Sequence, residues 1–347
     1  MERLIEEIQS VGHFLTQEFK TIFIGGGTPT LLPDDLLEQL FTAINDNISL
    51  ADQYEWTIEA NPETLTSQKA NVIANGGVNR VSIGAQSFEP ALLKQLERWH
   101  DPENVHRAMS MFRNAGINNI NLDLIHSIPT QTMEQLHRDL EVVVSLSPEH
   151  LSCYSLIYEP NTPLRTRLER GEVTRLCEDV EIQMFEEVTS TLVNAGYAQY
   201  EISNYSKEGY QCKHNIVYWE NRNWWPIGPS ASGHIKGRRW RNKPRLSEYV
   251  SSAGLPPIDQ VESLGIDQQL GETCMLGLRM TDGLKRSTVN QIIEGSIEQW
   301  RGPVINQFIQ EGMLHWKNEC LALTRKGVLL ADSVIVALLM DDRRRGR

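Results

Sequence analysis

Residues 21–30 read Thr21-Ile22-Phe23-Ile24-Gly25-Gly26-Gly27-Thr28-Pro29-Thr30. Four strand-forming residues run straight into three glycines, so an extended segment ends in a turn stripped of side chains. A ligand or a second backbone can approach such a turn closely, because no Cβ stands in the way. Leu31-Leu32-Pro33-Asp34-Asp35 then opens a helical pattern, with Pro33 suited to a first-turn position. One strand, one bare turn and one helix make a βα unit.

The unit repeats. Further strand candidates are Trp56–Glu59, Arg80–Gly84, Ile120–Ile125 and His150–Ile157, separated by helical stretches near 36–44, 67–75, 90–115 and 132–146. Asn75-Gly76-Gly77, Asn114-Ala115-Gly116 and Asn194-Ala195-Gly196 suit left-handed helix ends. Repeated βα units predict a parallel sheet with right-handed crossovers, and a curled one is a barrel or partial barrel with its site at the strands' C-terminal ends. The alternation stops near residue 206. A Trp-, Pro- and Gly-rich stretch follows (210–257), then short helical patterns at 268–277, 287–294 and 298–311 and a last apolar helix opened by Leu323-Thr324-Arg325-Lys326-Gly327. The expected division is 1–206, 207–260 and 261–347.

Bulk properties narrow the function. The 347 residues are 40% hydrophobic and 22% charged, ordinary for a globular chain with a large core. No apolar run reaches the roughly 18 residues that span a bilayer, and the acidic, amphipathic start at Met1–Ile8 is no signal peptide. The expected compartment is therefore the cytoplasm. A formal charge of -12 argues against nucleic acid as the main partner. Two basic stretches run against that balance: Arg238–Arg245, and Arg343–Arg347, read as a solvated end. The five cysteines (Cys153, Cys177, Cys212, Cys274 and Cys320) are widely scattered, which predicts reduced thiols without a disulfide framework.

Polar residues just past the apolar part of each strand share one rim in a parallel barrel. They are Gly26, Gly27 and Thr28, then Glu59 with Asn61, then Gln86 with Ser87. Asp123 lies within the fourth strand, and Arg98 is placed in the helix after Gln86, within reach of the rim. A carboxylate for an ammonium, a guanidinium for a carboxylate, and an amide with a carboxylate for paired hydroxyls would suit an amino-acid-linked nucleoside. Taken singly, Gln86 and Arg98 also read as surface or cap residues. Asp123 is harder to place so, because a carboxylate in an apolar strand needs a polar cleft or a partner.

Five phrases carry a resemblance that covers nearly the whole chain. They are Phe23–Thr30, Ile58-Glu59-Ala60-Asn61-Pro62, Asn79–Phe88, Asn121-Leu122-Asp123-Leu124-Ile125 and Glu159–Leu164. In this order they resemble the radical S-adenosylmethionine proteins related to oxygen-independent coproporphyrinogen III oxidase, and within them the shorter branch of HemW-type haem chaperones. The resemblance implies a partial (β/α)6 parallel barrel lacking its first strand, followed by a small, mostly helical, winged-helix-like domain. It implies that Gly26, Gly27, Thr28, Glu59, Gln86, Arg98 and Asp123 contact S-adenosylmethionine. Glu59 and the glycine backbone would meet the ammonium, Arg98 the carboxylate, and Gln86 with Asp123 the ribose.

One departure is large. The family holds a [4Fe–4S] cluster on a CxxxCxxC loop upstream of the glycine turn, and this sequence has no cysteine before Cys153. The simplest reading is a shortened start, with a natural cluster-free variant as the alternative. As written, the chain is not expected to bind that cluster or perform radical chemistry.

The second signal is Tyr210-Gln211-Cys212-Lys213-His214-Asn215-Ile216-Val217-Tyr218-Trp219, whose HNxxYW phrase resembles the haem-chaperone branch. His214 is the candidate ligand for haem iron, with Cys212 and His234 as alternatives and Tyr218 and Trp219 as aromatic walls. A histidine merely hydrogen-bonded within a packed aromatic loop remains open. Arg238–Arg245 would suit haem propionates. Two functions follow: a haem chaperone passing haem to a recipient protein, touching a membrane only peripherally through that recipient, or a coproporphyrinogen III oxidase-like enzyme. A nucleic-acid-binding C-terminal module is a third, disfavoured by the overall acidity.

Overall fold

The computed structural model describes residues 1–293 and 295–339; the basic run 343–347 lies outside the described residues. The chain forms two compact units, one of residues 17–199 and 203–212, the other of residues 1–16, 200–202 and 213–347.

The chain opens with α1 (Glu2–Phe14), which belongs to the second unit. Arg3 and Glu7 pin it there. The Glu7 carboxylate accepts from the Gly228 amide at 3.2 Å, and Arg3 donates to the Gly254 carbonyl at 2.8 Å.

The first unit then begins. Its strands are β1 (Phe19–Ile24), β2 (Leu50–Ala60), β3 (Arg80–Gln86), β4 (Asn119–His126) and β5 (His150–Ser155), all parallel in that order. Between them run α2 (Asp34–Asn47), α3 (Ser67–Asn75), α4 (Pro90–Gln95), α5 (Glu103–Asn114) and α6 (Met133–Leu146). Beyond β5 come α7 (Pro163–Glu169), α8 (Glu178–Asn194), β6 (Ala198–Gln199) and β7 (Asn204–Ser206). The last two strands close the seven-stranded sheet antiparallel beside β5. The result is a curled, mostly parallel half-barrel with β1 at one end of the sheet.

Local chemistry explains the elements. Trp56, Ile58, Val81, Ile83, Leu122 and Leu151 are fully buried, matching the apolar runs. Thr132 caps α6 through a reciprocal box with Gln135. Gly77, Gly116 and Gly196 each have φ near +90 to +100°, the left-handed helix ends that the sequence predicts.

The stretch 90–115 corrects the sequence reading, which makes it one helix. Glu97 has φ 56° and the Arg98 amide reaches back to the Leu93 carbonyl at 2.9 Å, so α4 ends there. Arg98 therefore sits in the extended link to α5 rather than in a helix.

The second unit continues with α9 (Lys213–Trp219), β8 (Ser232–Ile235), β9 (Arg238–Asn242), α10 (Leu246–Val250) and β10 (Ile258–Ser263). Strands β8 and β9 join through Lys236 and Gly237, both at positive φ, as a tight hairpin requires. The rest is α11 (Ile266–Gly277), β11 (Leu284–Lys285), α12 (Arg286–Asn290), α13 (Ile297–Gln310), β12 (Leu314–Lys317), β13 (Cys320–Leu323), α14 (Arg325–Leu329) and α15 (Ala331–Leu339). Leu270, Ile305, Leu321 and Val334 share one buried core here. The three-stranded sheet β11-β13-β12 lies within this mostly helical part, where the sequence reading names a winged-helix-like domain but places no individual strand.

Candidate functional site: a cleft at the strand ends

The strand ends of the first unit surround a cleft of about 200 Å³. Gly27, Thr28, Glu59, Gln86, Arg98 and Asp123 all line it. Gly26 stands behind, donating its amide to Glu59 Oε2 at 3.2 Å. The seven residues singled out in the sequence therefore meet at one place.

Each is held there by local structure. Gly26 has φ +82°, and a Cβ on Gly25 would lie 2.6–2.8 Å from the Glu59 carboxyl atoms. The bare turn is thus a consequence of Glu59 pressing on the backbone. Thr30 ties the turn to the next rim loop, its hydroxyl accepting from the Asn61 amide at 3.1 Å. The β3–β4 register slips between Gly84 and Gln86, and Gln86 takes φ 63°, which turns its amide into the cleft.

Asp123 is the floor. Ser82 Oγ donates to it at 3.3 Å and Asn121 Nδ2 at 2.8 Å. Burial raises the Asp123 carboxyl above its usual range, with the bonds from Asn121, Ser152 and Ser82 opposing. Burial also raises Glu59, and the charge of Asp123 raises it further. Two carboxylates that resist ionisation together invite a cationic ligand. Across from them, Arg98 has no ion pair among the described residues.

Two contributors escaped the sequence reading. His100 lines the cleft and donates Nε2–H to the Ala85 carbonyl at 3.0 Å. Asp139, fully buried on α6, accepts from Ser87 Oγ and the Phe88 amide, both at 2.7 Å, and so anchors the loop after Gln86. Burial pushes its carboxyl up to about 6. Neither partner is near it in sequence, so no local pattern announces the bond.

At about 200 Å³ the cleft is smaller than the roughly 300–1,000 Å³ typical of small-molecule pockets, and it stands partly open to solvent. Its donor set fits S-adenosylmethionine: carboxylates for the ammonium and ribose, a free guanidinium for the carboxylate, and open space over Gly27 for close approach. Among the described residues no group of three or more cysteine, histidine or acidic side chains gathers as a metal cluster needs. Burial raises the thiols of Cys153 and Cys274, the latter to about 12, so neither is a ready thiolate. Cys177 is exposed, at the N-terminus of α8.

In the second unit, His214 lies on α9, where the sequence suggests a loop, with Nε2 3.0 Å from the Tyr218 hydroxyl. Their rings meet edge-on at 5.0 Å, and Tyr218, Trp224 and His234 continue the row at 4.8 Å each. His234 is buried with both nitrogens engaged, Nδ1–H donating to the Arg222 carbonyl and Nε2 accepting from the Gly237 amide. That removes His234 as a ready iron ligand. In the first unit, Cys212 is buried against Glu55 at 3.5 Å. Within Arg238–Arg245, Arg239 pairs with Glu262 at 2.6 Å, and Lys243 and Arg245 pair with Glu248.

Residues 1–143 match the Radical SAM superfamily and residues 267–330 the HemN C-terminal domain. The "Heme chaperone HemW" of Lactococcus lactis is 36% identical over 342 residues, 99% of this chain and 89% of that protein. The Bacillus subtilis protein of the same name is 34% identical over 96% of this chain and 89% of its own length. Among solved structures, coproporphyrinogen III oxidase from Escherichia coli, a radical SAM enzyme, superposes with a TM-score of 0.82. At 19% identity it covers 97% of this chain and 82% of its own. That likeness concerns the fold.

Proposed function

The chain belongs to the HemW family of radical S-adenosylmethionine proteins, and from that premise we propose that it is a haem chaperone with a built S-adenosylmethionine pocket. The observation that supports the pocket most is the convergence of Gly27, Glu59, Gln86, Arg98 and Asp123 on one cleft. Glu59, braced by Gly26, takes the ligand's ammonium. Arg98 takes its carboxylate, and Gln86 with Asp123 takes the ribose hydroxyls. In the family an iron–sulfur cluster supplies the electron for reductive cleavage; no step of that kind is assigned to this chain.

Haem is the cargo, and His214 is its iron ligand in this reading. An imidazole among aromatic rings suits a planar, iron-bearing ligand. Arg238 and Arg241 offer positive charge to the propionates, while the neighbouring cations already hold carboxylates. The recipient is a haem-using protein, reached without a membrane span: no helix among the described residues is long and apolar enough to cross one. The coproporphyrinogen oxidase alternative draws support from the shared fold and the HemN C-terminal domain match. The HNxxYW phrase favours cargo binding.

Two titrations test the reading separately. Calorimetry with S-adenosylmethionine should give one site per chain, abolished by Arg98→Ala together with Glu59→Gln. Haem should bind with a Soret band that His214→Ala shifts or removes. Absence of stoichiometric haem binding by the unaltered chain would end the chaperone proposal.

A further inference from the structure

Arg98 and His100 line the cleft while Trp99, between them, is 78% exposed. The link from α4 to α5 is therefore extended, turning alternate side chains inward. It is also fastened on both sides of His100: before it the Arg98 amide donates to the Leu93 carbonyl at 2.9 Å. Glu63 accepts from the Asp101 amide at 2.9 Å and also bonds Asn104, and Asp101 in turn caps the Glu103 amide at 3.0 Å. The ring is buried at 8% exposure, so its orientation is set by the fold.

A carbonyl oxygen can only accept, so the contact between His100 Nε2 and the Ala85 carbonyl requires the proton on Nε2. The other nitrogen, Nδ1, is then left as a lone-pair acceptor on a neutral ring. Charge agrees with this. Burial lowers the tendency of His100 to protonate and Arg98 lowers it further; the hydrogen bond to Ala85, with Glu63 and Asp101, opposes them only in part. Glu59 and Asp123, across the cleft, are not among the charges that shift the ring.

We propose that His100 is a specificity residue of the cleft, a neutral acceptor held beside Arg98 that admits a cationic sulfonium nucleoside which a charged side chain there would repel. The claim rests on the reading that the cleft binds S-adenosylmethionine and adds the role of a residue that reading does not use. Arg98 is needed for the ligand's carboxylate. A second positive charge beside it gains little from that carboxylate and repels the sulfonium and ammonium. The hydrogen bond to Ala85 thus sets the tautomer and burial sets the charge. Both serve discrimination by charge.

The experiment compares S-adenosylmethionine with S-adenosylhomocysteine, which has the same amino acid and nucleoside but no sulfonium charge. Calorimetry is run on the full chain, its His100→Gln, His100→Ala and His100→Lys variants, each checked by circular dichroism and thermal melting. Gln keeps a neutral side chain able to donate to Ala85, so both affinities should stay within about threefold of the parent. Ala should weaken both ligands about tenfold without altering their ratio. Lys should weaken S-adenosylmethionine at least about tenfold more than S-adenosylhomocysteine.

A pH series separates the ring from the carboxylates. On acidification below the usual imidazole range the unaltered chain should lose its preference for the sulfonium ligand as His100 protonates, whereas His100→Gln should keep it. Glu59 and Asp123 titrate equally in both proteins and cancel from the comparison. If the two-ligand ratio is the same in the Lys variant as in the parent, His100 only holds the loop and the proposal is wrong. If the unaltered chain binds neither ligand, the reading of the cleft itself fails, a different and separately visible outcome.

Discussion

Glu59 and Asp123, on strands separated by β3, face one cleft, and the charge of Asp123 makes Glu59 harder to ionise. The strand register sets this up: Glu59 lies opposite Ser82, Ser82 opposite Asn121, and Asp123 one pleat further along. Both carboxyls are raised, so in the empty protein their contribution to stability is greatest in acid and is lost as pH rises through the raised values. Cation binding needs the ionised forms and runs the other way. The melting-temperature gain from S-adenosylmethionine should therefore grow as pH rises above the ordinary carboxylate range, and Glu59→Gln should flatten it while costing about 2–3 kcal/mol of binding. A gain independent of pH in the unaltered chain would contradict the shared-cleft assignment.

The glycine turn makes a paired prediction. An added Cβ at Gly25 meets the Glu59 carboxylate at under 3 Å, whereas at Gly27 it meets nothing within 4 Å. Gly25→Ala should displace Glu59, lowering stability by about 1–3 kcal/mol and weakening nucleoside binding. Gly27→Ala should melt within about 0.5 kcal/mol of the parent yet still weaken binding, because its methyl group enters the cleft. Thermal melts and calorimetry on both variants read this directly. Equal melting temperatures for the two would refute the account of the turn.

Asp139 gives a stability prediction away from the ligand. Its carboxyl is raised from 3.8 to about 6 by burial, so its contribution is full below about pH 4 and fades as pH climbs through about 6. Denaturant titrations should show Asp139→Asn removing about 1–3 kcal/mol of that pH dependence. Asp139→Ala should cost about 2–4 kcal/mol at neutral pH, since Ser87 and the Phe88 amide lose their acceptor. A pH profile unchanged in the Asn variant would place the titration elsewhere.

The barrel strands were legible because their buried residues come in short β-branched and apolar runs, and the rim because its polar residues follow those runs. Asp123 announced itself as a carboxylate inside such a run. Arg98 was misplaced because most of 90–115 is helix-friendly; His100-Asp101-Pro102 carried the break, since the residue before a proline resists helical geometry. His100 and Asp139 were silent for a different reason. Their partners, Ala85 and Ser87, lie on another element, and only the fold brings them within 3.0 Å and 2.7 Å. The C-terminal hairpin had a readable signal in the alternation of Leu314-His315-Trp316-Lys317 before Asn318, which turns at φ 55°.

Haem binding through His214 carries its own sign. The imidazole Nε2 now bonds the Tyr218 hydroxyl at 3.0 Å, so iron must displace that contact if Nε2 is the ligating atom. Tyr218→Phe removes the competitor while keeping the ring that lies 5.0 Å from His214. Its haem affinity should rise about fivefold, the worth of one modest hydrogen bond. Cys212→Ser should leave the Soret maximum unmoved, because that thiol is buried against Glu55. His214→Ala should lose the band, and addition of free imidazole should restore part of it. A Soret maximum that follows Cys212 instead of His214 would transfer the ligand role to the thiol.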